Sequence, residues 1–263
     1  MKLSESLIAE FRADWILTGK SQQTATNYVL ALKRLQATTS VVDLAAVRCW
    51  IEAIPSPISR RKSAQAVRAF GQWCERSGYE LFTWWKKVPL AREPRRVQRT
   101  IERSDYEGAV NECRSQKQRL LIDILWFTGL RRSEIARLKI EDLNLSEGFL
   151  IVHHSKSGRP RVVPISPTLR KSLRRFVGTR QSGLLLKMSS NAIRLSLQRM
   201  NLPSAHAWRR GWAVETLRSG VSETSLRAAA GWASGAMVAR YTQALSQELA
   251  MIEFQRAWAT KRD

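Results

Sequence analysis

The sequence predicts a mainly α-helical protein of two domains with one small β-hairpin or sheet. Three observations carry this. Apolar residues recur at helical spacing through most of the 263 residues. Only two short runs, FLIVHH and RVVPI, have the β-branched enrichment of strands. One stretch, KKVPLAREPRRVQRT, is dense in proline and arginine and has no apolar period.

Along the chain, Phe11, Trp15 and Ile16 keep a helical period, and Tyr28, Leu32 and Leu35 mark a second helix within TATNYVLALKRL. Pro55, Ser56 and Pro57 open ISRRKSAQAVRAFGQWCERSG, which stops at Gly78. A helical domain is therefore expected over residues 1–87, a basic Pro/Arg linker over 88–100, and a second domain over 101–263. The second domain opens with capping-box spacing at Ser104 and Glu107, followed by Tyr106, Ala109, Val110 and Cys113 on one helical face. LLIDILWFTG is apolar nearly all round, which predicts a buried helix capped by Gly129, with another helix beginning near Arg131. SKSGRP is the turn of a hairpin between the two β-rich runs, and Pro164 marks an edge strand. Helical patterning returns from Pro167, with breaks near Gly178, Gly183, Pro203, Gly220 and Gly231, and a last amphipathic stretch through Leu249, Ile252 and Trp258.

A hydrophobic content of 44%, 25% charged residues and ten tryptophans describe a folded chain and exclude wholesale disorder. Lys and Arg number 44 against 22 acidic residues; the surplus of +22 calls for a polyanionic partner, with nucleic acid first. An anionic membrane surface or a ribosomal site would also accept it. No stretch approaches 18 uninterrupted apolar residues, and the N-terminal MKLSESLIAEFRADW carries acidic residues where a signal peptide needs an apolar run, so a cytoplasmic protein is expected. Cys49, Cys74 and Cys113 lack CxxC spacing and are expected as reduced core thiols. His153 and His154 are adjacent on a presumed strand and face opposite ways, which suits no metal site.

Few residues can carry acid, base or nucleophile chemistry, because the chain has three histidines and four tyrosines. Arg131 stands at a helix start that favours an anion, with Glu134 one turn on and within reach of it. His206 and Arg209 share a helix face at i, i+3. Lys156 lies in the hairpin turn. Taken singly, each has a bland reading: a solvated ion pair, a lone HxxR, a solvated turn lysine. Tyr28 and Tyr106 read as core, Tyr79 as loop packing, and Trp208 and Trp212 as a packing stripe, while Trp84 and Trp85 fit either packing or stacking. Tyr241 is a phenol with an ordinary pKa of about 10, which needs a proton acceptor and charge neutralisation to attack a phosphodiester.

Order and spacing convert these weak signals into a strong one. TGLRRSEIARL, a lysine hairpin ending RVVPI, HAWR, AGW and RYTQA follow one another between residues 100 and 245. This succession resembles the tyrosine recombinases, or phage integrases, and the N-terminal helices resemble that family's core-site DNA-binding domain. The resemblance implies a catalytic set of Arg131, Lys156, His206, Arg209, Trp232 and Tyr241, supported by Glu134. Trp232 stands where the family more often has histidine; an indole can position a phosphate but cannot shuttle a proton. Arg210 likewise replaces a common histidine. Expected DNA contacts are Arg60, Arg61, Lys62, Arg95, Arg96, Arg132, Arg159 and Arg210.

By the same resemblance, Tyr241 attacks a phosphate to form a 3′-phosphotyrosyl link, which conserves bond energy and implies no cofactor and no metal. Double-stranded DNA with specific core sites is the implied partner. The implied assembly is a homotetramer on two sites, monomeric when free, nucleoid-associated, phage-encoded or prokaryotic, and compact, without an arm-binding domain. Integration or excision of a mobile element leads the possible roles, ahead of dimer resolution and gene inversion. A type IB topoisomerase-like enzyme and a non-catalytic DNA-binding protein are the rival readings.

Overall fold

Helix-start chemistry recurs through the first part of the chain. Ser4, Ser21, Asp43 and Ser56 each accept a backbone N–H from the following turn. They open α1 (Glu5–Leu17), α2 (Gln22–Thr38), α3 (Leu44–Glu52) and α4 (Pro57–Arg76), the last with proline in its first turn. The computed structural model describes residues 2–39, 41–92, 100–153, 160–235, 238–239 and 246–259. The chain divides into two units, Met1–Val97 and Gln98–Asp263.

In the first unit, Phe11, Leu32, Leu35, Val67 and Phe70 are almost fully buried. Phe11 meets Phe70 edge to face at 5.4 Å. The inward face of α1 runs through Leu7, Ile8, Phe11 and Trp15, which leaves Ile16 38% exposed rather than in the core as its spacing suggested. A 3-10 segment, Glu80–Lys87, follows α4. Trp84 and Trp85 pack against this core. Gly71 makes that possible for Trp85, since a Cβ there would come within 2.4 Å of its side chain. Cys74 is buried and Cys113 half-buried, but Cys49 is exposed, because α3 turns Val47 and Ile51 inward instead.

The second unit begins with α5 (Arg103–Asn111). Its capping box falls two residues before the expected one: Asp105 accepts the Glu102 N–H at 2.9 Å. Next comes α6 (Gln116–Thr128), buried nearly all round from Leu120 onward and closed by Gly129 in the left-handed conformation. Its one buried carboxylate, Asp123, accepts hydrogen bonds from Tyr106 Oη, Arg119 Nε and Ser172 Oγ, a fully satisfied core acid. Burial and this neighbouring carboxylate push the Tyr106 phenol up to about 12, so it stays protonated.

After α7 (Arg132–Arg137), strands β1 (Leu143–Asn144), β2 (Phe149–Val152) and β3 (Arg161–Pro164) form one antiparallel sheet in the order β1-β2-β3. Residues Val152 and Arg161 pair, as do Leu150 and Val163. The expected hairpin is there and Pro164 lies on an edge strand; β1 went unseen because two residues carry no period. His153 falls just past β2 and pairs with Asp142 at 3.4 Å. Further helices follow: α8 (Pro167–Val177), α9 (Ser190–Arg199), α10 (Ala205–Arg218), α11 (Glu223–Ala230) and α12 (Ser246–Ala259). On α12, Met251, Phe254 and Trp258 are exposed. Among the described residues no helix is long and apolar enough to cross a membrane.

Candidate active site

Three chain segments meet around the end of α6. Gly129 has φ of +56°, and a Cβ there would fall 2.0 Å from the Trp212 ring, so only glycine closes α6 against α10. The Gly129 carbonyl thereby faces α10 and accepts Arg209 Nη1 at 2.6 Å. Arg209 Nη2 donates to the Ala230 carbonyl at the C-terminal end of α11, at 2.5 Å. One guanidinium thus satisfies carbonyls at the ends of two helices, where such groups lack intrahelical partners and the dipole favours a cation. Arg209 is 2% exposed, and its guanidinium stands 5.2 Å from the Trp232 ring, a cation–π contact.

Arg131 immediately precedes α7. Its backbone N–H donates to Glu134 Oε2 at 2.7 Å and its Nη1 donates to Oε1 at 2.8 Å. The carboxylate thus occupies the Arg131 N–H, one of the donors at this helix start. Glu134 is buried and accepts a second arginine, Arg161 of β3, through Nη1 at 2.9 Å and Nη2 at 2.8 Å. Burial alone would raise the Glu134 pKa; the hydrogen bonds from Arg161 and from the Arg131 N–H outweigh it and hold the group below the usual carboxylate range.

His206 lies one turn before Arg209 on α10 and is exposed at the rim of an open cleft of about 590 Å³. Arg131, Arg132, Ser190 and Arg209 also line that cleft. Partial desolvation, then Arg210, Arg209 and Arg131, lower the imidazole pKa below its ordinary 6.5. A histidine in such a field is neutral at neutral pH and able to accept a proton.

Of the residues singled out from sequence, Arg131, Glu134, His206, Arg209 and Trp232 come together here. Arg132 donates Nε to Ser190 Oγ at 2.8 Å, beside them. In the first unit, Arg60 Nε donates to the Ile54 carbonyl and Arg61 Nη1 to the Ala91 carbonyl, while Lys62 is exposed on α4. Lys156, Tyr241, Arg95, Arg96 and Arg159 lie outside the described residues. Sequence reasoning missed Arg161. Its signal was there: RVVPI alternates, Val163 and Ile165 point inward, and Arg161 holds the same register, a charge on the buried face.

Comparison with known proteins follows the same lines. Over 180 residues the chain is 27% identical to tyrosine recombinase XerA of Pyrococcus horikoshii, covering 68% of this chain and 62% of that protein, less than two thirds of its length. Its fold is that of lambda integrase: the structure of a lambda integrase dimer bound to a COC′ core site matches with a TM-score of 0.77 at 16% identity, over 92% of this chain and 95% of that one. A lambda integrase tetramer bound to a Holliday junction matches with a TM-score of 0.70, also at 16% identity, over 87% of this chain and 77% of that one. The model of the phage integrase family matches residues 94–248, more than half of the chain, which therefore belongs to the phage integrase family.

Proposed function

We propose that this protein is a site-specific DNA recombinase that cuts and rejoins DNA through Tyr241, in keeping with its likeness to the protein named tyrosine recombinase XerA. The observation that carries the reading is the convergence of Arg131, His206 and Arg209 on one cleft, with Glu134 fixing Arg131. Two guanidiniums presented together suit the two nonbridging oxygens of a phosphodiester. Partial burial first, and then the positive field of Arg210, Arg209 and Arg131, lower the pKa of the histidine in the same cleft and favour its neutral form.

In the reaction, the Tyr241 phenolic oxygen bonds to phosphorus and its proton passes to His206. The bond from phosphorus to the 5′ oxygen breaks, and Lys156 supplies the proton that leaves a 5′ hydroxyl. Arg131 and Arg209 stabilise the charge that builds on the phosphate, each guanidinium being worth on the order of 10²–10³ in rate if it acts as an oxyanion donor does. Trp232 buttresses Arg209 from its ring face. Religation reverses these steps with the 5′ hydroxyl of a partner strand, so no cofactor enters.

The substrate is double-stranded DNA, in keeping with the +22 charge. Arg132 and Arg210 beside the cleft, Arg60, Arg61 and Lys62 in the first unit, and Arg95, Arg96 and Arg159 are the proposed backbone contacts. Four protomers act together on two sites in the cytoplasm, and the role is integration and excision of a mobile element. Covalent capture tests this: wild type and Tyr241→Phe are incubated with DNA flanking the gene, denatured, and the DNA left on protein is sequenced. Attachment by wild type alone, at one junction of an element, is the expected result. Attachment by both, or capture spread evenly over plasmid DNA, would refute the nucleophile or the site specificity respectively.

A further inference from the structure

The Arg131–Glu134 pair poses an electrostatic problem. A carboxylate that orients an arginine also cancels its charge, and a neutral pair is a poor host for a phosphate dianion or diester. Here the pair has a third member. Arg161 grips both oxygens of Glu134 with two nitrogens, at 2.9 and 2.8 Å, from a side chain only 6% exposed. Two guanidiniums and one carboxylate leave the cluster at +1. Of the two cations Arg131 is the one that lines the cleft, with a side chain 27% exposed.

Arg161 has a second attachment. Its Nε donates to the Ala229 carbonyl at 2.8 Å, one residue before the carbonyl that holds Arg209. The turn that follows is shaped to it: Gly231 has φ of +64°, and a Cβ there would stand 2.9 Å from Arg161 Cδ. Arg161 therefore joins β3, the Arg131 turn and the end of α11 through one planar group, a task suited to the fixed donor fork of arginine.

We propose that Arg161 is a positioning residue for strand cleavage: by balancing Glu134 it lets that carboxylate hold Arg131 without cancelling the positive charge Arg131 offers to the phosphate. This rests on the cleft being the phosphate site described above. Arg161 itself touches no DNA.

The test compares wild type, Arg161→Gln, Arg161→Lys and the double variant Arg161→Gln/Glu134→Gln. Two readouts are taken: arginine Nε–Hε NMR titration with inorganic phosphate, and the rate of covalent attachment to the captured DNA. Arg161→Gln is expected to weaken phosphate binding by about tenfold or more, since it leaves a neutral pair. Arg161→Lys keeps the charge but gives up the donor fork, so it should bind phosphate more tightly than Arg161→Gln and more weakly than wild type. The double variant removes the excess carboxylate charge and should recover most of the loss. A residue that served packing alone would show no such recovery. Phosphate binding by the double variant or by Arg161→Lys no better than by Arg161→Gln overturns the proposal, as does failure of Arg161→Lys to fold. Should Arg161→Gln not fold, the lysine and double variants still decide by their affinity against wild type. Ordered phosphate affinities without covalent attachment in wild type would reject the recombinase reading and leave the role of Arg161 standing.

Discussion

Two arginine–glutamate clusters in the second unit are mirror images in charge and opposites in environment. Around Glu134, one buried carboxylate serves Arg131 and Arg161. Around Arg218, one arginine serves Glu102 and Glu248, tying α5 and α12 to the end of α10, with the two carboxylates 50% and 44% exposed. The distances are alike, 2.7 to 2.8 Å for the ion pairs in both. What differs is water. A desolvated cluster loses heavily when one partner is removed, because the remaining charge has nowhere to go. An exposed one loses little, because water and salt replace the partner. Equal geometry thus marks a framework in one place and a surface clasp in the other.

Breaking the buried cluster should give the largest effect. Glu134→Ala strands two guanidiniums and is expected to destabilise the fold by about 3–5 kcal/mol, read by urea unfolding, with covalent attachment lost. Gly129→Ala comes next. It forces a side chain into a left-handed backbone and against Trp212, and an overpacked core site costs about 1–3 kcal/mol before any displacement of the carbonyl that holds Arg209. The attachment rate should fall further than stability alone explains.

Acid sharpens the contrast. The Glu134 pKa is depressed in the fold, so its contribution is present above the ordinary carboxylate pKa of about 4.3 and lost as pH falls through the lower folded value. His206 works the other way round on activity. Its neutral form is the base and its pKa is lowered, so the attachment rate at subsaturating DNA should fall along an acid limb whose midpoint lies below the ordinary 6.5. A limb centred above 6.5, or one that persists in His206→Gln, would remove it as the proton acceptor. The smallest effect is expected at the exposed cluster: Arg218→Ala should cost less than about 1 kcal/mol and nothing measurable at high salt. A loss above 2 kcal/mol would erase the distinction drawn between the clusters.

The same contrast separates what was legible in the sequence. Periodicity marked the helices and the hairpin, since burying one face imposes a repeat, and the buried α6 showed through its unbroken apolar run. Local rules placed Gly129 as a cap and Glu134 within reach of Arg131. Long-range chemistry stayed hidden: no neighbour in sequence hints that Arg161 and Arg209 would end on successive carbonyls of α11, because only the folded chain brings 161, 209 and 229–230 together. Ile16 lies outside the core because a period fixes a helix but not the width of its buried stripe, and Cys49 because cysteine's preference for cores does not say which helix face it occupies. Glu102, not Ser104, begins α5, since Asp105 returns the reciprocal bond to it.

One measurement bears on the central reading directly. The protein–DNA adduct would be digested with nuclease and trypsin and the peptide bearing the nucleotide remnant identified by mass spectrometry. Four tyrosines make the outcome discrete. The account expects the remnant on the peptide containing Tyr241, through a 3′ phosphate. A remnant on Tyr28, Tyr79 or Tyr106, or on a serine, would contradict it and detach the Arg131–His206–Arg209 cleft from the chemistry assigned to it.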